Sequence, residues 1–552
     1  MDTDTERTPL LAGTPTPTAN TAAAKGTFQG SPTSQENVSP DYGSYNGHND
    51  SATGPDPLAH LRDVLRPRVL FLALLGVFLV ELGVAMMIPP MNAIMESIIC
   101  RQKHPEIFLP PSASPSIGES FHGTAGTWIR QITGGIFLTD DPVCKYPDVQ
   151  GYLAMLKGWA AAFDCIPGIV GAVPYGILSD RWGRKGVLAI SMLGIWLSQA
   201  FIPVVFSFSE VMPLWTIWFA SAFQLIGGGG AVATAMIYTL IADVVSVESR
   251  ASAFLQVGAV FLTAQMIGGP LAGLMMVWNP WIPLLVAVAI LILANFIALV
   301  IPETLGVHGQ QTTPRPESEN GDGISKRHKL WHKARSALAE TWAFVIGNQR
   351  VAFLMLSLVF VVLGRFVSDL LLQYATDRYG WTWSKASMIL SIGTAGSLVT
   401  LMVLLPGTSW LCIHRFGMPG VSTDLWLSRW SGVVQILGCL IIAAAGNGVF
   451  FSFGLIWFAL GSGMSMLIRS LITALVEEHH VGTANTLVGF MEMVGLTVAG
   501  PLLAKSLSVG LDLGGPWVGL PFLTGGSFFA TSTIILWVFR LPNTRGSAAE
   551  PS

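Results

Sequence analysis

Long apolar stretches separated by short polar segments follow one another along most of the chain. Each stretch holds about 20 residues, enough for a helix rising about 1.5 Å per residue to cross a hydrocarbon layer of roughly 30 Å. A helix also bonds its own backbone donors and acceptors, which lipid cannot satisfy. The pattern therefore predicts an all-α membrane protein. The predicted spans lie at 69–91, 152–174, 187–207, 213–241, 252–277, 280–301, 351–373, 386–406, 432–447, 449–476, 483–508 and 517–541.

The order of these stretches divides the chain into two similar parts. Six stretches precede a polar segment and six follow it, so we expect two six-helix bundles related by pseudo-two-fold symmetry. The first residues are rich in Thr, Ser, Pro, Gly and Asn, and such a segment cannot offset the entropy of ordering. The predicted parts are a disordered cytoplasmic tail at 1–60, a first bundle at 61–302 with a long extracellular loop at 97–150, a cytoplasmic linker at 303–350, a second bundle at 351–541 and a cytoplasmic tail at 542–552.

The composition supports lipid as the solvent and excludes several functions. Of the 552 residues 51% are hydrophobic and only 11% are charged, whereas a soluble domain carries roughly a quarter charged residues. A net charge of -3 gives no reason to expect a nucleic-acid partner, and the five cysteines lack the paired spacing of a zinc site. The sequence offers no catalytic constellation and no ATP-binding Gly-rich loop. It therefore predicts neither an enzyme nor a primary pump, and no cofactor or metal.

Basic residues near the ends of the spans set the predicted orientation, because they favour the cytoplasmic side. They precede the first span, separate the second from the third, fill the linker and follow the last span. All lie on one side if the number of spans is even, so both termini are predicted to be cytoplasmic. The long loop on the other side contains Cys100 and Cys144, which form either a disulfide or two free thiols.

The strongest local signal joins the second and third spans and reads Gly176-Ile177-Leu178-Ser179-Asp180-Arg181-Trp182-Gly183-Arg184-Lys185. Gly176 and Gly183 permit close backbone approach and positive φ. Asp180 can hold the N-terminus of a neighbouring helix or a basic partner. An ordinary cytoplasmic loop would explain the basic residues but not their ordered spacing with Gly and Asp.

These residues resemble the signature loop of the major facilitator superfamily and match its Gly-x-x-x-Asp-Arg-x-Gly-Arg-Lys pattern at every defined position. Pro302-Glu303-Thr304 is similar to that family's common ending of the sixth span, and the resemblance covers roughly residues 65–541. The resemblance implies a gate in which Asp180 is set against the eleventh span when the outer side is open. Asp243, Glu248 and Arg250 fall in another cytoplasmic loop, where we expect them to belong to the same cytoplasmic gate as the signature loop.

A repeated motif supports the division into halves. Gly269-Pro270-Leu271 in the fifth span matches Gly500-Pro501-Leu502 in the eleventh, and we expect these residues to pack helices. Coincidence is the alternative, since glycine pairs are common in membrane helices. Two parallel repeats would place a substrate site between them near mid-depth, with rocking about that site giving alternating access.

Charged residues inside the spans are candidates for the transport pathway, because each costs about 2.5 to 3.5 kcal/mol to insert. Glu81, Asp164 and Glu492 fall near mid-depth as proton or substrate groups, or as polar groups bonded to a neighbouring helix. Arg365 and Asp369 are four residues apart, so they either neutralise each other or leave Arg365 as an anion contact. Arg469 lies near the cytoplasmic end of the tenth span and either snorkels or contacts substrate or gate.

These features predict a monomeric multi-pass secondary transporter of the plasma membrane that moves a small organic solute, coupled to protons. Export of a drug-like or secondary metabolite is the first expectation, since Gly269-Pro270-Leu271-Ala272-Gly273 resembles part of the fifth-span signature of drug and proton antiporters. Proton-coupled uptake of an organic anion is the alternative, and it is favoured if Arg365 or Arg469 faces the cavity. Other segments resemble a fungal group distantly related to proton-coupled folate and haem carriers. A nutrient receptor without net flux is a third.

Overall fold

The computed structural model describes residues 59–105, 144–245, 247–304, 349–476 and 481–541, and these residues form helices and no strands. Eleven of the helices are long and apolar enough to cross a membrane, which confirms the all-α prediction. The first six are α1 (Ala59–Lys103), α2 (Pro147–Trp182), α3 (Arg184–Ser207), α4 (the pair Leu214–Phe223 and Gly229–Val244), α5 (Val247–Met276) and α6 (Trp281–Val300). The next six are α7 (the pair Gln349–Arg365 and Val367–Tyr379), α8 (Trp383–Phe416), α9 (Gly420–Ala444), α10 (the pair Gly448–Leu460 and Met464–Leu475), α11 (Val481–Leu513) and α12 (Leu520–Val538).

The fourth span is a broken helix, which the apolar pattern did not predict. Gly227, Gly228 and Gly229 all have positive φ, at 98°, 81° and 67°, so the chain cannot continue as a right-handed helix there. The hydroxyl of Ser191 on α3 donates to the carbonyl oxygen of Gly227 at 2.6 Å. A Cβ on Gly227 would lie 2.6 Å from the carbonyl carbon of Ile190, so the break and the close packing of α3 both require glycine.

The ninth helix is longer than its apolar run suggested. The sequence predicted 432–447, whereas α9 begins at Gly420 and α8 continues to Phe416. Polar residues in this region hid the helix from a hydropathy pattern. The predicted loop 97–150 is shorter than expected at both ends. α1 continues to Lys103, and α2 begins at Pro147. Most of the predicted tails and of the linker lies outside the described residues.

Three clusters of buried residues make up the core. The end of the bundle that carries Cys100 and Cys144, here called the disulfide end, has one core to which α1, α2, α7 and α8 all contribute. The opposite end, which carries Gly183 and is called the signature-loop end, has two cores. One is built from α1 and α3 to α6, and the other from α7 and α9 to α12. The two halves therefore share a core at the disulfide end and have separate cores at the signature-loop end.

Candidate functional site

Two helix crossings join the halves, and both lie toward the disulfide end. α2 crosses α11 so closely that a Cβ added to Gly158 would lie 2.6 Å from the carbonyl oxygen of Gly500. At the crossing of α5 and α8 the hydroxyl of Ser384 donates to the carbonyl oxygen of Gly273 at 2.7 Å. Because the cores are separate beyond these crossings, we infer a cleft between the halves at the signature-loop end.

The residues of the repeated Gly-Pro motif lie at these crossings. Gly500 is in direct backbone contact with Gly158, whereas a Cβ on Gly269 would lie 3.6 Å from its nearest neighbours on α8, an ordinary contact. Pro270 and Pro501 lie within α5 and α11. In the fifth helix the close approach falls at Gly273, one turn beyond the predicted position.

The carboxylate of Glu96 closes the disulfide end of the cleft. Glu96 is only 6% exposed. It accepts hydrogen bonds from Lys145 Nζ at 2.5 Å, from Trp383 Nε1 at 2.6 Å and from the side-chain amide of Gln150. Trp383 belongs to α8 of the second half, and the other partners belong to the first. We call Glu96 with Lys145, Gln150 and Trp383 the Glu96 network; it joins the two halves through one buried charge.

A disulfide and a second inter-half bond flank the Glu96 network. Cys100 and Cys144 form a disulfide with their Cα atoms 5.7 Å apart, so the end of α1 is tied to the residue that precedes Lys145. On the other side Gln373 Nε2 of α7 donates to the backbone oxygen of Gln150 at 2.7 Å. The disulfide thereby holds the short segment that carries Lys145 against α1, and the bond from Gln373 ties α7 to α2.

Three charged side chains lie at the closed inner end of the cleft. Lys157 Nζ of α2 donates to the backbone oxygen of Asp369 on α7 at 3.4 Å, and the two charges attract. Arg365 acts on Asp369 through space. The side chains of Arg365 and Asp369 are both exposed although the sequence around them is apolar, as expected where a helix faces an open cleft. Of these three residues, sequence reasoning missed Lys157.

Asp164 lies on the wall of the cleft formed by the first half. Its carboxylate accepts hydrogen bonds from Ser221 Oγ at 2.5 Å and from Gln224 Nε2 at 3.1 Å, both just before the break in α4. The side chain is exposed and lies on the helix face that also carries Lys157 and Gly168. Within the described residues Asp164 forms no ion pair, so its only partners are neutral.

Glu81 and Glu492 occupy different surroundings. Glu81 of α1 is half-buried, and the side chain beside it is that of Gln265 on α5, a neutral group. Glu492 of α11 instead forms a two-pronged ion pair with Arg469 of α10, with Nε 3.2 Å from one carboxylate oxygen. Arg469 also acts electrostatically on Tyr238 of α4, in the facing half. The three predicted carboxylates therefore do not form one cluster.

The signature loop is a single-residue turn. Gly183 alone separates α2 from α3, and its φ of 101° is accessible to glycine. Gly176 lies within α2 with open space around it. In this structure it therefore makes neither the close backbone approach nor the positive φ that the sequence led us to expect. The side chain of Asp180 lies outside the described residues, and that of Arg181 is exposed.

Glu303 holds the start of α3. Its two carboxylate oxygens accept from the backbone N–H groups of Arg184 at 3.0 Å and of Lys185 at 3.2 Å. A carboxylate at a helix N-terminus satisfies orphan donors and opposes the positive end of the helix dipole. The sequence assigned this role to Asp180 as one possibility; in the structure Glu303 occupies the position.

The loop is also tied to the ends of α4 and α6. Arg184 Nε lies 3.6 Å from a carboxylate oxygen of Asp243, which accepts from the hydroxyl of Thr304 at 2.8 Å. Arg250 donates to the backbone oxygen of Ala242 at 3.0 Å. These contacts all lie within the first half. Glu248 belongs to the same region, and its side chain lies outside the described part of the chain.

Comparison with known proteins identifies the family. A model of the Major Facilitator Superfamily matches residues 108–500. The chain is 32% identical over 456 residues to the efflux pump ustT of Aspergillus flavus, covering 80% of this chain and 82% of the relative. It is also 32% identical over 403 residues to the MFS efflux pump atnC of Emericella nidulans, covering 72% and 77%. The chain belongs to the Major Facilitator Superfamily.

Solved structures of other major facilitator proteins share the fold. The D-xylose-proton symporter superposes with a TM-score of 0.55 at 12% identity, covering 85% of this chain and 97% of that one. The inward open xylose transporter XylE from E. coli gives 0.54 at 13% identity, covering 87% and 97%. As a member of this superfamily the chain is a multi-pass secondary transporter and not an enzyme, as its sequence predicted.

Proposed function

We propose that this major facilitator protein exports a small organic solute, of the drug-like or secondary-metabolite type, by proton-coupled alternating access. The cleft carries the proposal: it is open at the signature-loop end, closed by the Glu96 network at the other, and bears charged side chains at its inner end. A rocking motion of the halves would expose the same side chains to the opposite face. Two relatives named as efflux pumps support the outward direction.

The proposed orientation places the signature-loop end in the cytoplasm and the disulfide end outside. Basic residues gather at the signature-loop end, in agreement with the positive-inside rule, and a disulfide is favoured where the compartment is oxidising. In this orientation the cleft receives its solute from the cytoplasm. We assign the chain to the plasma membrane as a monomer with both termini cytoplasmic.

Asp164 and Glu81 are the proposed proton carriers. A carboxylate whose partners are neutral can gain and lose a proton without breaking an ion pair, whereas Glu492 is held by Arg469. Asp164 is the stronger candidate of the two because its side chain is exposed and can exchange protons with water. Its partners Ser221 and Gln224 precede the break in α4, so a change in its charge acts directly on that helix.

Flux in vesicles tests both direction and coupling. Inside-out vesicles containing the chain, with the interior made acidic, should accumulate at least one of the probes fluorescein, rhodamine 6G and tetracycline. Collapse of the pH gradient should abolish this accumulation. Accumulation driven only by the opposite gradient would instead establish uptake, the alternative that the sequence left open. Absence of flux for these and for a wider metabolite panel would support the receptor alternative.

Matched substitutions test the proton carriers. Asp164→Asn should lose gradient-driven accumulation and retain exchange of probe for probe, because the proton site is lost while the cleft remains. Glu81→Gln measures how much the second carboxylate contributes to gradient-driven accumulation. Asp512→Asn removes an exposed carboxylate at the disulfide end of α11 and serves as the control. Full gradient-driven flux in both test variants would remove these residues from the coupling mechanism.

A further inference from the structure

We propose that Arg365 and Lys157 bind the anionic group of the transported solute, and that the solute is therefore an organic acid. This inference rests on the proposed function only in requiring that a solute enters the cleft. It concerns the inner end of the cleft, where α2 of the first half faces the break in α7 of the second.

The register of α2 against α7 places these side chains. Gln373 contacts Gln150, and one turn deeper along α7 Asp369 contacts Lys157. Arg365 is a further turn along α7 toward the signature-loop end. It therefore lies just inside the point where the halves separate, and its side chain is exposed.

Arg365 lacks a protein partner among the described residues. It forms no hydrogen bond and no close ion pair there, and Asp369 interacts with it only through space. Asp164 forms no ion pair with Arg365, and its oxygen Oδ1 accepts hydrogen bonds from Ser221 and Gln224 instead. By contrast Arg469, the other arginine at membrane depth along the cleft, is fully engaged by Glu492.

The charges at this point do not cancel. Lys157 and Arg365 contribute two positive charges and Asp369 one negative charge, which leaves one positive charge inside a membrane protein. An uncompensated charge at this depth is costly unless a ligand or water stabilises it. A guanidinium presents paired donors that match both oxygens of a carboxylate, whereas an ammonium binds as a point charge. A carboxylate bound by Arg365 and attracted by Lys157 would neutralise the cluster.

The sign of the charge also suits the direction of transport. A cell interior is electrically negative, so an anion that leaves moves with the membrane potential. Export of an organic acid would then require less free energy from the proton gradient than export of a cation.

Two xanthene dyes of opposite charge test the proposal by binding to the purified chain in nanodiscs, measured by fluorescence anisotropy. Fluorescein carries a carboxylate, and rhodamine 6G carries the same ring system as a cationic ester. We expect fluorescein to bind at least tenfold more tightly than rhodamine 6G. Arg365→Gln should weaken fluorescein binding at least tenfold, and Arg365→Lys should restore part of it.

Asp369→Asn gives a result that a purely structural role would not produce. Removing the competing carboxylate raises the net charge of the cluster, so fluorescein should bind more tightly than to the unaltered chain. Arg350→Gln, an exposed arginine at the start of α7, is the charge-matched control and should leave the affinity unchanged. Monodisperse elution of each variant establishes that it is folded.

Three results would overturn the proposal: no fluorescein binding at millimolar concentration, equal or tighter binding of rhodamine 6G, or unchanged fluorescein affinity in Arg365→Gln. Fluorescein binding without flux of any of the three probes in vesicles would keep the anion site and refute the proposed export. Flux of rhodamine 6G, together with no tighter binding of fluorescein, would support the proposed export and refute the anion site.

Discussion

Replacing Glu96 by Gln should open the disulfide end of the cleft. The substitution keeps the shape of the side chain but removes its charge, which three donors share. The side chains of Glu96 and Lys145 are only 8% and 17% exposed, so solvent screens the pair little. The variant removes the carboxylate paired with Lys145, so among the described carboxylates only Asp377 of α7 still attracts that ammonium through space, and it weakens the bond to Trp383, which joins the halves.

The size of the effect follows from the bond that crosses between the halves. A hydrogen bond to a charged acceptor contributes about 1.5–3 kcal/mol. Only the bond from Trp383 is lost when the halves separate, since Lys145 and Gln150 remain with the first half. The amide oxygen of Gln still accepts from Trp383, and a neutral hydrogen bond contributes about 0.5–1.5 kcal/mol, so the substitution removes about 1–1.5 kcal/mol. At about 1.4 kcal/mol for each factor of ten, the ratio of closed to open molecules should fall roughly 5- to 12-fold.

Distance measurements between spin labels detect this shift. Labels at Tyr152 on α2 and Leu513 on α11, which are 40% and 60% exposed, report the separation of the halves at the disulfide end. The three free cysteines, Cys165, Cys412 and Cys439, are first replaced. The unaltered chain should give one short distance, and Glu96→Gln should add a longer one.

The matched control removes an exposed carboxylate at the same end of the molecule. Glu210→Gln lies between α3 and α4 and should give the same distances as the unaltered chain. Identical distance distributions for Glu96→Gln and the unaltered chain would refute the reasoning, because the buried charge would then make no contribution to closure.

Three further predictions concern stability and packing. Replacing Cys100 and Cys144 by Ser should lower the free energy of unfolding by about 4 kcal/mol, from the closure entropy of a loop of 44 residues; an unchanged thermal midpoint would contradict this. Gly158→Ala should impair flux by forcing α2 away from the facing helix, whereas Gly489→Ala, with open space around it, should not; equal flux in the two would exclude a close crossing. Glu303→Gln should destabilise the start of α3 by about 1 kcal/mol, visible as faster amide hydrogen exchange in its first turn, and no change there would argue against the cap.

The sequence was sufficient to predict the type of the spans, because membrane helices must be apolar over a fixed length. Eleven of the twelve predicted spans correspond to described helices long enough to cross, and the fourth is a pair of shorter helices. The sequence was less able to place the ends of the spans. Arg429, in the part of α9 that the prediction left out, bonds the backbone oxygens of Leu536 and Phe539 and is thereby accommodated near a helix end. A hydropathy pattern cannot distinguish such a satisfied arginine from a loop residue.

The site was predicted only in part, because pairing across the halves is not encoded in local spacing. Arg365 and Asp369 share a helix, and their proximity could be derived from a four-residue interval. Lys157 and Glu96 meet partners more than 200 residues away, namely Asp369 and Trp383. Glu96 also fell beside the predicted boundary of a loop. A charged residue near the end of an apolar run was the only signal available for it.

Side-specific labelling of a cysteine in the cleft tests the account most directly. Thr234 is exposed and lies on the face of α4 that carries Tyr238, opposite Arg469. In a background without free cysteines, Thr234→Cys should react with a membrane-impermeant maleimide from the signature-loop side. Combined with Glu96→Gln, it should become reactive from the disulfide side as well, as the open population grows. Labelling from neither side, or equally from both sides without that second substitution, would contradict a cleft open only at the signature-loop end. An unchanged side preference with the substitution would contradict closure of the disulfide end by Glu96.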